Sequence, residues 1–148
     1  MLLARLKGQN SSLRGIEWTD LRDTMLLDSS AWIEIFEGSS NGKKIEQIAE
    51  NEDIYTSMVS ISEITNWCRK NNLDENYYIG VIEENSGILS FTKESLILAG
   101  IINFERKKIV KNWGMLDSMI YAIAKLNSII VLTTDHHFLG LEYAEVID

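Results

Sequence analysis

The strongest constraint on the fold lies near the end of the chain, at residues 114–135. Apolar residues recur there at helical spacing, at Met119, Ile120, Ile123, Ala124 and Leu126. The aliphatic run 129–132 follows, and it is typical of a strand that is buried on both faces. A helix that leads through a short loop into a buried strand is half of a βαβ unit. The sequence therefore predicts an α/β fold around a parallel sheet.

Strands and helices alternate along the chain from residue 25. The predicted strands are 25–28, 53–59, 87–92 and 129–132, with a short fifth strand at 144–147. The predicted helices before residue 114 are 29–38, 43–51, 60–70, 74–85 and about 93–110, and a loop is expected at 38–44. This order predicts a three-layer α/β/α sandwich with a central, mostly parallel sheet of four or five strands.

Residues 1–24 differ from the rest of the chain. They combine glycine, asparagine and serine with mixed charges, and they show no sustained hydrophobic period. This composition favours a mobile tail over a core element. We therefore predict a dispensable leader at 1–24 and a single domain at 25–148.

The composition is that of one globular domain. With 148 residues, 45% of them hydrophobic, the chain is long enough to bury a core. The apolar runs are far shorter than a bilayer span, and the N-terminus lacks the apolar segment of a signal peptide. The sequence thus predicts a cytoplasmic protein with no membrane contact.

The charge balance restricts how the chain can bind nucleic acid. Fourteen Lys and Arg residues against twenty-two Asp and Glu residues give a net charge of -8, which repels a polyanion. Binding of nucleic acid would need metal ions or a local basic patch. The basic cluster that stands out consists of Arg106, Lys107, Lys108 and Lys111. A favourable interaction with the dipole of the preceding helix explains these cations equally well.

Four acids lie at junctions between predicted elements: Asp28, Glu63, Asp117 and Asp135. The carboxyl ends of parallel strands meet at one edge of a sheet, so these side chains are expected to converge there. The alternative is that each acid only caps a helix, since Asp is a favoured N-cap and residues 60–63 match a capping box. From the residues alone, both interpretations stay open.

Carboxylates that converge repel one another, so they either hold a proton at a raised pKa or bind a hard cation. Mg²⁺ and Mn²⁺ prefer carboxylate and water oxygens, and such a site can support phosphodiester hydrolysis. His136 and His137 also suggest zinc or general-base chemistry. Adjacent histidines point in different directions, however, and no Cys or further His completes a zinc site, so we favour the acids.

Four segments of the sequence resemble the PIN domain family, and in particular the VapC-type toxin ribonucleases. They are residues 26–33 (LLDSSAWI), 60–64 (SISEI), 117–124 (DSMIYAIA) and 131–138 (VLTTDHHF). The resemblance covers residues 25–148. It implies that Asp28, Glu63, Asp117 and Asp135 are the metal-binding and catalytic acids. It also implies that Ser30 and Thr133 support that site.

The resemblance further implies a parallel α/β/α sandwich and an endoribonuclease that depends on Mg²⁺ or Mn²⁺. Members of the toxin type are commonly homodimers that bind a cognate antitoxin. For an RNA substrate we expect contacts from the basic cluster, with Trp113 as a platform on which a base stacks. Two alternatives remain open. One is a catalytically silent PIN scaffold that binds a partner, and the other is a receiver-like domain phosphorylated on Asp28.

Overall fold

The computed structural model describes residues 24–148. The predicted leader lies outside the described residues, apart from its last position. Thr24 is buried and pairs with Asp53 of the neighbouring strand. The first strand therefore begins one residue earlier than predicted.

Five parallel strands form one sheet. Its spatial order is β3-β2-β1-β4-β5. The strands are β1 (Thr24–Leu27), β2 (Asp53–Ser57), β3 (Gly87–Leu89), β4 (Ile130–Thr133) and β5 (Ala144–Val146).

Helices cover both faces of the sheet. They are α1 (Ser29–Glu37), α2 (Ser40–Ala49), α3 (Met58–Lys70), α4 (Glu75–Asn85), α5 (Lys93–Arg106) and α6 (Met115–Asn127), with a short 3₁₀ helix at His136–Phe138. The predicted α/β/α sandwich with a parallel sheet is confirmed.

Alternating side chains of the central strands face two separate cores, because successive residues of a strand point to opposite faces. Leu27 and Leu132 face the core that contains Trp32 of α1. Leu26 and Val131 face the opposite core, with residues of α6. All four of these strand residues are fully buried. The buried aliphatic runs that predicted the sheet therefore stabilise both layers of helices.

Helix α2 begins inside the segment that was expected to be a loop. Ser39 is its N-cap, and the Ser39 Oγ accepts a hydrogen bond from the main-chain nitrogen of Gly42 at 2.9 Å. This cap satisfies one of the free N–H groups at the start of the helix. The Ser and Gly residues that suggested a loop are thus the start of a helix.

Helix α3 also begins earlier than predicted. It starts at Met58 directly after β2, with Ser57 as its N-cap and a 3.4 Å hydrogen bond from Val59 N to Ser57 Oγ. The capping box expected at Ser60 and Glu63 is therefore wrong. Since Ser57 caps the helix, Glu63 lies in the second turn of α3 and not in the first.

Two other elements are shorter than predicted. Helix α5 ends at Arg106 and not near residue 110, and β3 ends at Leu89 and not at residue 92. On α6, Leu126 was expected on the buried face but is 43% exposed. Within residues 24–148, no helix has both the length and the apolarity needed to cross a membrane.

The order of the strands creates a crevice next to β1. The chain first adds β2 and β3 on one side of β1 and then crosses to add β4 and β5 on the other side. In open parallel sheets, ligands bind beyond the carboxyl ends of the strands where the order reverses, which here is between β1 and β4. Receiver domains have β2 at the sheet edge, whereas here β3 and β5 are the edges, so the receiver-like alternative is not supported.

Two glycines provide a test of the helix packing. A Cβ atom at Gly42 would overlap the main-chain oxygen of Glu34 in α1, whereas one at Gly100 of α5 would have no neighbour within 4 Å. We expect Gly42→Ala to lower the free energy of unfolding by about 1–3 kcal/mol. The control Gly100→Ala should raise it by up to about 1 kcal/mol, because alanine favours an exposed helix. Urea denaturation measures both, and equal effects would contradict the close α1–α2 contact.

Candidate metal centre

Asp28 lies at the carboxyl end of β1, where it is the N-cap of α1. Its Oδ1 accepts a hydrogen bond from Ser29 N at 2.8 Å. Its Oδ2 accepts from Ser30 Oγ at 3.1 Å and from Thr133 Oγ1 at 2.9 Å. Burial raises the pKa of Asp28; the three hydrogen bonds lower it, and the Asp117 carboxylate adds a further increase. Asp28 is therefore a buried carboxylate that the surrounding donors keep in one orientation.

Ser30 and Thr133 connect the ends of the two central strands. The hydroxyl oxygens of these residues lie 3.0 Å apart. Ser30 Oγ accepts from Thr134 N at 3.1 Å, and Thr133 Oγ1 accepts from Asp135 N at 3.0 Å. Together with their bonds to Asp28, these contacts fix the spacing between the end of β1 and the loop that carries Asp135.

Glu63 faces the same region from α3. Its Oε1 is buried and has no hydrogen-bond partner among the residues that the structure describes. Burial raises the pKa of Glu63 to about 7, and the negative charge of Asp28 contributes to this increase. A hydrogen bond with Ser29 lowers the pKa, while Asp117 and Asp135 raise it by smaller amounts. Glu63 is thus a carboxylate that lacks a compensating positive charge.

Asp117 is the third residue of α6 and reaches back to the start of that helix. Its Oδ2 accepts a hydrogen bond from Gly114 N at 2.9 Å. Burial raises the pKa of Asp117 and the bond from Gly114 lowers it. The charge of Asp135 raises this pKa further, and His137 lowers it. Asp117 therefore interacts electrostatically with the loop after β4.

Asp135 is the N-cap of the 3₁₀ helix that follows β4. Its Oδ1 accepts a hydrogen bond from His137 N at 2.9 Å and lies 2.9 Å from His137 Nδ1. One ligand atom each from Asp117, Asp135 and His137 lie within 4.8 Å of one another. The structure thus places an imidazole beside two of the four acids.

Three of the four acids cap helices, and all four converge. Asp28, Asp117 and Asp135 each accept a main-chain hydrogen bond at the start of a helix. Their charges act within one site: Asp117 raises the pKa of Asp28, Asp135 raises that of Asp117, and all three raise that of Glu63. We call these four residues the acidic cluster. Capping and clustering are therefore not alternatives here, because the helices start at the edge of the sheet where the acids meet.

The chemistry of the acidic cluster fits a hard divalent cation. Carboxylate oxygens are the donors that Mg²⁺ and Mn²⁺ prefer. Glu63 Oε1 is buried without a partner, and within residues 24–148 nothing donates a hydrogen bond to Asp117 Oδ1 or Asp135 Oδ2. These three oxygens are free to bind an ion, while the hydrogen bonds to the remaining oxygens orient the carboxylates.

The structure corrects the role expected for Trp113. Its ring is only 2% exposed and packs against Phe138, and its Nε1 donates to Ser118 Oγ at 2.7 Å. A buried ring cannot stack on an RNA base, so the predicted platform is wrong.

The guanidinium of Arg106 lies over the Trp113 ring and donates to the main-chain oxygens of His137 and Leu139 at 2.7 and 3.0 Å. Arg106 therefore stabilises the fold beside the site.

The three lysines of the basic cluster remain exposed. Lys107, Lys108 and Lys111 lie in the connection between α5 and α6, because α5 ends before them. Lys108 Nζ lies 3.3 Å from a Glu105 carboxylate oxygen and 4.1 Å from the centre of the Phe104 ring. We call Lys107, Lys108 and Lys111 the basic segment. It precedes the start of α6, which carries Asp117.

The two histidines point in different directions, as expected. His136 Nε2 contacts the carboxylate of Asp148, whereas His137 Nδ1 faces Asp135. The position of His137 beside Asp117 was not expected. The available signal was its spacing, because a residue two positions after Asp135 in a 3₁₀ turn can return to that side chain.

Comparisons with known proteins bear on the family and on the fold. The family model for the PIN domain matches residues 25–142. No curated protein sequence matches the chain significantly.

Several solved structures share the fold. A toxin–antitoxin complex from Klebsiella pneumoniae aligns with a TM-score of 0.68 and 17% identity, over 83% of this chain and 97% of that chain. VapBC2 from Rickettsia felis, bound to a promoter DNA fragment, gives 0.66 and 16%, over 84% and 99%. VapC20 from Mycobacterium tuberculosis, a sarcin–ricin-loop-cleaving toxin, gives 0.63 and 12%, over 84% and 100%. At these identities the likeness establishes the fold.

The raised pKa of Glu63 predicts how stability depends on pH in the absence of metal. The pKa is about 7 in the folded protein and 4.5 for an ordinary glutamate, so the stabilisation that protonation provides is complete below about pH 4.5 and is lost as the pH rises through 7. At pH 8 Glu63→Gln should raise the free energy of unfolding by about 1–2 kcal/mol, a figure reduced for partial exposure. At pH 5 the gain should be small.

Urea denaturation in EDTA at both pH values measures this difference. The matched control is Glu83→Gln on the exposed face of α4, which should change stability little at either pH. A Glu63→Gln variant that is equally destabilised at pH 5 and pH 8 would contradict the crowding of charge around Glu63.

Proposed function

The chain belongs to the PIN domain family, and from this premise we propose that it is a metal-dependent endoribonuclease that hydrolyses RNA phosphodiester bonds. The observation that supports this proposal most directly is the acidic cluster, in which four carboxylates repel one another at the carboxyl edge of the sheet. A divalent cation relieves this repulsion, and Mg²⁺ or Mn²⁺ suits the oxygen ligands.

The residues of the acidic cluster have different proposed roles. Asp28 and Asp117 hold the principal metal ion, and Glu63 and Asp135 complete the site through direct or water-mediated contacts. Bound metal supplies charge stabilisation for the phosphate and lowers the pKa of water. Ser30 and Thr133 orient Asp28, since both hydroxyls donate to its Oδ2.

The basic segment is the proposed contact for the RNA backbone. Lys107, Lys108 and Lys111 are exposed and precede the helix that carries Asp117. The chain as a whole has a net charge of -8, which repels a polyanion. The positive charges of the basic segment offset this repulsion locally, where we propose that the RNA approaches. Arg106 is not included, because its guanidinium is hydrogen-bonded to main-chain oxygens.

We further propose that the chain is the toxin of a toxin–antitoxin pair and binds a cognate antitoxin. The similar structures from Klebsiella pneumoniae and Rickettsia felis support this assignment, because they are a toxin–antitoxin complex and a VapBC complex.

A homodimer is the proposed assembly. Exposed apolar side chains on α5, which a second copy would cover, support it: Leu96, Ile97, Ile101 and Phe104.

A catalytically silent PIN scaffold is the remaining alternative. It would have the same fold and bind the same partner, but it would not bind divalent metal. The unpartnered Oε1 of Glu63 favours the enzyme, since a scaffold gains nothing from a buried carboxylate oxygen without a partner. Titration with Mn²⁺ separates the two functions.

Substitution of single acids tests the nuclease proposal. Asp28→Asn and Asp117→Asn keep the shape of the side chain but remove the charge that holds the metal ion. We expect each variant to lose at least about 10²-fold in RNA cleavage, measured with purified protein and Mn²⁺ or Mg²⁺. Asp53→Asn is the control, because Asp53 lies at the opposite, amino-terminal end of β2. Full activity in the Asp28 or Asp117 variant would reject the assignment.

Removal of two lysines tests the basic segment. Lys107→Ala/Lys108→Ala should weaken RNA binding and reduce the slope of log affinity against log salt by about 0.7 for each lost phosphate contact. A fluorescence anisotropy titration at several salt concentrations measures this change. The control Lys70→Ala/Lys125→Ala removes the same charge from the last turns of α3 and α6, at the far ends of these helices. If both pairs change binding equally, the effect is one of net charge alone.

A further inference from the structure

We propose that His137, beside Asp117 and Asp135, is a further ligand of the metal ion of the acidic cluster, and that its imidazole makes the site prefer a divalent transition metal to Mg²⁺. This inference rests on the proposed function, because it concerns the same metal centre. It differs from an all-carboxylate site in its chemistry. A nitrogen donor adds affinity for transition metals that Mg²⁺ does not share.

The first support is the distance between donor atoms. One ligand atom from each of Asp117, Asp135 and His137 lies within 4.8 Å of the others, a spacing that one bound ion can bridge. His137 Nδ1 lies 2.9 Å from Asp135 Oδ1. One nitrogen of the imidazole therefore faces the acidic cluster.

The second support is the fixed main chain of His137. Its nitrogen donates to Asp135 Oδ1 at 2.9 Å, and its oxygen accepts from the Arg106 guanidinium at 2.7 Å. The next residue, Phe138, is buried and packs against Trp113. Both main-chain groups of His137 are thus held in place, so the ring needs only rotation of its own side chain to bind an ion.

The third support is access for the ion. The side chain of His137 is 39% exposed and that of Asp135 is 29% exposed. Asp28, by contrast, is buried and has hydrogen bonds to both of its oxygens. An ion can therefore approach the acidic cluster from the side of His137 and exchange its water molecules there.

His136 provides the matched control. It is the adjacent residue of the same type, but its ring contacts Asp148 at the end of the chain and is 64% exposed. Replacement of either histidine changes the charge and composition of the 3₁₀ helix in the same way. Only His137 has its ring beside Asp117 and Asp135.

The test compares Co²⁺ and Mg²⁺ binding to purified full-length protein by isothermal titration calorimetry. For the wild type we expect tighter binding of Co²⁺. His137→Gln should weaken Co²⁺ binding by at least about tenfold, with a change of less than about threefold for Mg²⁺. His136→Gln should change neither. The visible absorption spectrum of bound Co²⁺ should differ between wild type and His137→Gln, since a nitrogen ligand is lost.

Two outcomes overturn the inference, and they differ from a failure of the proposed function. If His137→Gln binds both ions as the wild type does, or loses affinity for both equally, the imidazole is not a ligand and only orients Asp135. In either case the wild type still binds metal and Asp117→Asn still abolishes binding. If the wild type binds neither ion, the metal centre itself is rejected. Circular dichroism of each variant checks that it is folded.

Discussion

Mutual repulsion between buried carboxylates is the constraint on which the rest of this structure depends. Asp28, Glu63 and Asp117 are all desolvated, and each has a pKa raised partly by the charge of another member of the acidic cluster. Such a cluster opposes folding, because three separate parts of the chain must bring like charges together. The fold provides three neutral donors for Asp28, whereas Oε1 of Glu63 is buried without a donor among the described residues. A cation bound at the acidic cluster would remove the energetic cost of this repulsion. For that reason a metal centre accounts for the cluster better than helix capping alone.

The sheet order explains the different environments of the four acids. Strand β1 lies at the centre between β2 and β4, so Asp28 at its end is covered on both sides and is 5% exposed. Glu63 follows β2, and Asp135 follows β4, one on each side of it. The hydroxyls of Ser30 and Thr133 bridge β1 and β4 at this edge. The centre of the sheet is thus rigid and buried, while its flanks leave carboxylate oxygens open to an ion.

The sequence predicted the fold and the convergence of the acids because both depend on strong, local patterns. Buried aliphatic runs indicate parallel strands, and the ends of parallel strands must meet at one edge. The burial of Trp113 could not be predicted in this way, since it depends on contacts of its side chain with Phe138 and Ser118. The orientation of His137 depends likewise on the 3₁₀ turn and on Arg106. Helix starts were misplaced where Ser39 and Ser57, rather than later residues, supply the cap.

Charge connects the metal centre with the substrate. A net charge of -8 opposes the approach of RNA, and the acidic cluster concentrates negative charge at the carboxyl edge of the sheet. Under the proposed function, a divalent ion would reverse the local sign of the charge, so the acidic cluster would become a site for phosphate once the ion is bound. The lysines of the basic segment precede the start of α6, which carries Asp117. Under the proposed function, metal binding and RNA binding would be coupled by electrostatics, and each would favour the other.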